Sequence, residues 1–359
     1  MTYFLFLWLL CVIILVEMEL IMEKFTLAIE MGSSNTVIYK LGDGIVLKEA
    51  TILAVESAGN KNRVVAVGDT VKKMSVLPKN VSVMHPVENG VITDVDLAST
   101  LLKKFLEKIE EYKFFKKPGI VFLVPCGLSV GEKNEYRNMA YLLGISQVEV
   151  MPSVVATMMG LNINYNDDKS YIIANIGANT DVAIVNNGKI VDGCTIDVGG
   201  KSIDTAIKKY ILKEKDIDID EFNVESIKID IGTLLANDIR SVKISGNDSL
   251  GEYTESYIDS TEIYDILDKE YSYIIEAISN LFSRCNSNSI NNIVMQGIYL
   301  CGASSKMTGI VDYFESRLNL VSVTHAKNPE ATTIVGAGSL LNNQLLLTEL
   351  ILLNRTDGE

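Results

Sequence analysis

The chain predicts an α/β fold of two domains of related design, each built on a mixed sheet, with a cleft between them. Three observations carry this expectation. Two Gly-rich turns, Glu30-Met31-Gly32-Ser33-Ser34-Asn35-Thr36 and Asn175-Ile176-Gly177-Ala178-Asn179-Thr180-Asp181, lie about 145 residues apart. Each follows one apolar run (FTLAI, SYIIA) and precedes another (VIY, VAIV), so strand, tight turn and strand occur twice. Amphipathic helical patterns alternate with further strands after both, which fits α/β layers and an internal duplication rather than a tandem solenoid. In both turns an acidic or amide side chain ends the first strand. That is the layout of two facing phosphate-binding hairpins with a nucleotide between them.

Taken in order, FTLAI and TVIYKL flank the first turn. Leu41-Gly42-Asp43-Gly44 is a turn before strands in IVL and TILAVE, and residues 60–63 separate a hairpin whose second arm is VVAV. Across residues 96–111, Leu97, Leu101, Leu102, Phe105, Leu106 and Ile109 share one helical face, with Asp96 or Ser99 as the cap. A strand over 119–125, a helix over 132–144, a strand over 148–152 and a helix over 154–160 complete the first half. The second half predicts strands over 170–177, 180–191 and 194–200, then helices over 202–212 and 224–234. A polar hairpin at 241–260 and a helix over 261–284 lead to a strand over 292–302. The expected end is a helix over 331–345 and an apolar tail. The domain expectation is an apolar segment 1–21, a first domain 22–152, a second domain 153–320, a return to the first over 321–345, and a tail 346–359.

Composition narrows the function. With 359 residues the chain can build two substantial cores. A formal charge of −14 and no basic run argue against nucleic acid as the main partner, and against a polybasic membrane patch. The five cysteines are widely spaced without a CxxC, which reads as reduced thiols in apolar space. Only His85 and His325 occur, which gives little support to a histidine metal site or a Ser-His-Asp triad. Residues 3–16 are fourteen apolar positions in a row. As a helix they span about 21 Å, short of a hydrocarbon core of about 30 Å. Three readings stand: a membrane anchor or partly inserted helix, an upstream extension not always translated (Met18 and Met22 precede the first strand), or a buried segment.

Over residues 25–341 the chain resembles the bacterial actin-like cell-shape proteins, the MreB family, within the actin, Hsp70 and sugar-kinase superfamily. The segments LAIEMGSSNTVIYKLGDGIVLKEATILAVE, VMHPVENGVITDVDL, VFLVPCGLSVGEK and IDVGGKSIDTAI carry the resemblance in order and approximate spacing. It implies an actin-like fold with duplicated mixed-sheet cores around a nucleotide cleft, with ATP and Mg²⁺ as cofactors. Gly32, Ser33, Ser34, Asn35 and Thr36 match the first phosphate turn, and Gly177, Ala178, Asn179 and Thr180 match the second. Gly199 and Gly200 match the glycine pair near the phosphates, followed by Lys201 where the family has an aspartate. Glu225 and Lys228 match the E-x-x-K pair facing the ribose and adenine, the other reading being an i,i+3 ion pair. Gly302, Ala303 and Ser304 match the triple glycine beside the base.

The departures matter as much. Glu30 and Asn175 stand where the family has two aspartates that hold Mg²⁺ through water. Glu30 adds a methylene and Asn175 brings no charge, so metal binding is expected to be weakened. The second turn is one residue shorter than the family's, with Asn179 at a glycine-like position. Val150 and Met151 stand where the family has paired glutamates, one of which positions the attacking water. Glu149 lies one residue too early and on the opposite strand face. The resemblance thus implies a filament-forming, membrane-associated cytoskeletal protein that organises cell-wall synthesis and cell shape. It binds ATP with weak or absent hydrolysis, at the inner face of the cell membrane. Its implied partners are its own copies, a typical actin-like paralogue, and wall-synthesis and cell-shape membrane proteins. Two alternatives stay open: an active ATPase or phosphotransferase, and a nucleotide-independent regulator that co-assembles with the paralogue.

Overall fold

The two Gly-rich turns are the tips of the leading hairpins of two five-stranded sheets. The computed structural model describes residues 25–58, 61–74, 77–112, 117–318 and 321–355. Its strands are β1 (Phe25–Met31), β2 (Asn35–Lys40), β3 (Gly44–Ala50), β4 (Leu53–Ala58), β5 (Lys61–Val67), β6 (Val81–Met84), β7 (Val87–Glu88) and β8 (Val91–Ile92). Then follow β9 (Gly119–Val124), β10 (Val148–Pro152), β11 (Ser170–Ile176), β12 (Thr180–Asn186) and β13 (Lys189–Ile196). The last four are β14 (Ser241–Asn247), β15 (Tyr253–Asp259), β16 (Ile298–Cys301) and β17 (Val323–His325).

The first sheet runs β10-β9-β1-β2-β3 and the second β17-β16-β11-β12-β13. Their directions match position by position. β1 is antiparallel to β2 and parallel to β9, as β11 is antiparallel to β12 and parallel to β16. The duplication read from the turns is therefore a duplication of sheet topology. The interior strand β9, GIVFLV, parallel to both neighbours, is buried at every position, as a parallel strand covered on both faces requires.

Helices cover the outer faces. Val95–Lys108 buries Leu101, Leu102, Phe105 and Leu106 against the first sheet, beside Val130–Tyr141. Its cap is Asp94, whose carboxylate accepts from Leu97 N at 2.9 Å, not Asp96 or Ser99. Ser99 lies inside the helix and donates to Met139 O, packing the two helices together. The second sheet is covered by Gly200–Lys215, Glu221–Ile231 and Ser260–Arg284, with Ile203, Ile207, Leu267, Tyr271 and Ile274 at the centre of its core.

A third core lies between the sheets and joins them. It takes Ala28, Val121 and Leu123 from the first sheet and Ile173, Ala183 and Val185 from the second. Helices Ser153–Gly160 and Thr332–Leu341 cross within it at backbone contact. A Cβ at Gly160 would lie 2.0 Å from Thr332 O, and one at Gly336 1.9 Å from Ala156 O, so only glycine fits at either point.

Several expected elements shift. Residues 61–63 belong to β5 rather than to the turn before it. The expected strand over 292–302 is split: Ser287–Gln296 is a helix with Ile293 inward and Met295 outward, and only Ile298–Cys301 is strand. The helix expected over 331–345 stops at Leu341, and the tail is itself a helix, Gln344–Leu353. That helix buries Leu346, Leu347, Leu350 and Ile351 in the shared core, so it is a folded element and not a loose end. The apolar run 3–16, with the rest of 1–21 and the start at Met22, lies outside the described residues, as do Asn60 and the end of the tail. Among the described residues no helix is long and apolar enough to cross a membrane, and Cys126, Cys194, Cys285 and Cys301 are free thiols.

Candidate functional site

The hairpin turns face each other across a cleft of about 220 Å³. Met31 pairs with Thr36 and Ile176 with Thr180, so the first turn holds four residues and the second three. Each is closed by one backbone bond, Gly32 N to Asn35 O at 3.0 Å and Gly177 N to Asn179 O at 2.8 Å. The N–H groups of Ser33, Ser34, Ala178 and Asn179 have no protein acceptor among the described residues, and all four residues line the cleft. Unpaired turn amides on both walls form a concave donor surface suited to an anion.

Most residues singled out from the sequence meet here. Glu30, Gly32, Ser33, Ser34, Asn35, Asn175, Gly177, Ala178, Asn179, Gly200, Glu225, Lys228, Gly302, Ala303 and Ser304 all line the cleft. Three do not. Thr36 is fully buried and its hydroxyl is bonded to Thr51 Oγ1 at 2.9 Å. Thr180 is also buried and donates to Val198 O at 2.7 Å. Both point away because they sit on the strand face opposite their turn's opening. Gly199 lies behind the second turn, where a Cβ would come within 2.6 Å of Ala178 O. It lets the Gly200–Lys215 helix start against that turn, with Gly200 N donating to Gly177 O. Lys201 is exposed.

Glu225 and Lys228 form no ion pair with each other. Lys228 is buried and meets Asp204 Oδ1 at 2.8 Å, while its ammonium also donates to Gly200 O at 3.1 Å. Burial lifts the Asp204 carboxyl to about 6 against the lowering pull of Lys228. Gly302 has φ 85°, and a Cβ there would meet Ile176 O at 2.4 Å and Asn175 Oδ1 at 2.5 Å. Ser304 Oγ donates to Gly177 O at 2.8 Å, which ties this corner to the second turn.

On the cleft floor two carboxylates face one another. Burial, and then the charge of Asp181, raises the Glu30 carboxyl to about 7. Asp181 lies opposite Asn175 in the β11–β12 ladder and is itself raised by burial. Its oxygens accept from Cys126 N, Thr195 Oγ1 (2.8 Å) and Ser153 Oγ (3.2 Å). It therefore joins the end of β9, the start of helix Ser153–Gly160 and β13. Above the floor, Glu330 bridges Lys48 on β3 and Lys306 beyond β16, both at 2.7 Å, so an ion triad spans the cleft mouth. Asp181, Asp204 and Glu330 were not singled out from the sequence. Only the D in NIGANTD and the acidic position four after Gly200 hinted at the first two.

The fit to a metal is poor for these residues alone. Among the described residues no three His, Cys, Asp or Glu side chains are grouped to hold an ion. The Asp181 oxygens are already engaged, and Glu30 is close to half-protonated near neutral pH. The position where the resemblance expects a water-orienting base is likewise filled by core. Val150 and Met151 are 4% and 0% exposed, and Glu149 turns outward to Arg355 at 2.8 Å.

Two matching sheets, a shared core between them and facing turns define an actin-like protein with a cleft between its halves. The MreB/Mbl protein family model matches residues 24–349, and the chain belongs to that family. It is 29% identical to the cell shape-determining protein Mbl of Bacillus cereus over 323 residues, covering 88% of this chain and 96% of that protein. To the cell shape-determining protein MreB of Escherichia coli it is 26% identical over 322 residues, 88% of this chain and 92% of the other. Among solved structures, MreB5 of Spiroplasma citri bound to ADP superposes with a TM-score of 0.83 at 26% identity, over 90% of this chain and 98% of the other. The same protein bound to AMPPNP gives the same TM-score.

Proposed function

We propose that this protein is an actin-like cytoskeletal element that binds an adenine nucleotide between its two turns and uses it to set cleft closure and assembly, with weak or absent hydrolysis. The observation that carries the reading is the paired set of unpartnered turn amides, Ser33 and Ser34 facing Ala178 and Asn179. The ADP and AMPPNP complexes of MreB5 support the ligand class. Lys228, Glu225 and the Gly302–Ser304 corner would take the nucleoside end. Mg²⁺ would come with the phosphates, with Glu30 and Asn175 nearest, rather than be held by protein ligands alone.

Weak turnover follows from Val150 and Met151, which neither accept a proton nor orient a water; such a group is commonly worth ~10²–10⁴ in rate. By kinship with Mbl and MreB, the protein would form filaments at the inner face of the cell membrane and organise wall synthesis and cell shape. Copies of itself, a typical paralogue, and wall-synthesis and cell-shape membrane proteins would be its partners. The test combines ATP binding, phosphate release, and sedimentation with and without liposomes, on the full chain and on a form beginning at Met22. Binding and pelleting with little phosphate release is the expected result. Brisk turnover overturns the weak-hydrolysis reading. Pelleting without nucleotide binding points instead to a nucleotide-independent regulator, and full-length protein that ignores liposomes removes the membrane reading.

A further inference from the structure

The side chain of Asn179 spans the space between the two turns. Its Nδ2 donates to Asn89 Oδ1 at 2.8 Å and lies 3.4 Å from Asp197 Oδ1, and its Oδ1 accepts from Ser33 Oγ at 3.5 Å. Asp197 can only accept, which fixes the end of the carboxamide that carries nitrogen. Asn89 and Ser33 belong to the part of the chain built on the first sheet, and Asn179 and Asp197 to that built on the second. One side chain therefore links the halves at the level of the phosphate turns.

Both ends of this link are held. Asn89 and Gly90, at φ 52° and 74°, form the two-residue tip between β7 and β8, the Asn-Gly pairing that such hairpin turns favour. Pro125 backs Gly90, Tyr136 Oη donates to Gly90 O at 2.8 Å, and Gly90 N donates to Ser33 Oγ at 3.3 Å. Ser33 Oγ thus accepts from Gly90 N while its own proton points toward Asn179 at the long end of hydrogen-bond distance. At the other end Gly177 N holds Asn179 O.

We infer that Asn179 is a crossbar that keeps the turns together without ligand and must swing away when a terminal phosphoryl group enters between them. The site as folded then favours a nucleoside diphosphate over the triphosphate. The inference rests on the nucleotide reading of the cleft. Its physical basis is competition. A further phosphoryl group has to break two or three modest hydrogen bonds and sit beside the Asp197 carboxylate, whereas a shorter phosphate chain leaves the crossbar in place.

The test uses the full chain and two variants, Asn179→Gly and Asn89→Gly; glycine tolerates the positive φ at 89. Binding of ADP and of AMPPNP, each with Mg²⁺, is measured by calorimetry, and amide exchange is measured in the nucleotide-free proteins. Wild type is expected to prefer ADP, and that preference falls by about tenfold in Asn179→Gly and in the same direction in Asn89→Gly. Exchange at Gly32, Gly90 and Gly177, whose N–H groups are hydrogen-bonded in and beside the turns, rises in both variants while circular dichroism stays native. Unchanged preference and unchanged exchange, with both nucleotides still binding, overturn the crossbar and leave the nucleotide site standing. No binding of either nucleotide to any of the three proteins overturns the nucleotide reading itself, and with it the inferred preference.

Discussion

Replacing Glu30 with glutamine tests the electrostatics of the cleft floor without changing its shape. Burial, and then Asp181, lifts the Glu30 carboxyl from 4.5 to about 7. In the unfolded chain it loses its proton near the ordinary value, in the folded protein near neutrality. The stability it contributes is complete below about pH 4.5 and is lost as pH rises through about 7. A gap of about 2.5 pH units at about 1.4 kcal/mol each makes roughly 3 kcal/mol at full ionisation. With an unfolding entropy of about 2.1 cal/mol/K per residue, this corresponds to ~4 °C in melting temperature. Thermal melts of nucleotide-free wild type and Glu30→Gln should therefore nearly coincide at pH 4.5–5 and separate to about 4 °C, with the variant higher, by pH 7.5–8. Adding Asp181→Asn to the wild type should shrink the pH dependence, because one source of the shift is removed. Parallel melting curves across this range would refute the picture of an uncompensated buried acid.

Two further perturbations probe contacts that join distant parts of the chain. Lys306 first, and then Lys48, hold the Glu330 carboxyl down at about 2, so its contribution is present above about pH 4.5 and is lost as pH falls toward 2. Because the triad is partly exposed, Glu330→Gln should lower stability by only about 1 kcal/mol at neutral pH, an effect that high salt abolishes; urea midpoints at two ionic strengths check it. Asn354 closes the last helix, accepting from Ile190 N and donating to Gly188 O and Leu350 O, each at 2.9 Å. Asn354→Ala leaves a buried donor and acceptor on the β12–β13 hairpin without partners and should cost about 2–3 kcal/mol in urea denaturation. An unchanged midpoint would mean that the helix is not docked there.

The hairpins and the duplicated plan were legible because they depend on local signals: period-two alternation, small residues at tight turns, one-sided helical stripes; the cleft-lining positions beyond the two turns came from the family resemblance. What was missed depends on distance. Asp94, Asp96 and Ser99 all suit a helix start, and only the backbone path decides that Asp94 sits outside the first turn while Ser99 reaches Met139. The run NIVMQ is too short for its period to separate strand from helix; Ile293 alone faces inward. LLLTELILL read as a tail because nothing local says that both sheets supply its packing surface. Lys228 was matched through the resemblance and lines the cleft, but its partner Asp204 lies on another helix, 24 positions earlier. The shortened second turn was visible as a missing residue; the reach of its Asn179 to Asn89 was not.

The crossing of Gly160 against Thr332 and of Gly336 against Ala156 has a mechanical consequence. These two helices carry the chain from one sheet to the other and back, and at the two glycines they touch main chain to main chain, with the buried Thr157–Thr333 hydroxyl contact at 2.8 Å beside the crossing. Such a contact acts as a fulcrum. Sliding is blocked, leaving rotation, and a rotating body amplifies displacement with distance from its pivot. A small rotation at this crossing would thus become a larger displacement at positions farther from it. The gear ratio of this device is set by two residues that have no side chain.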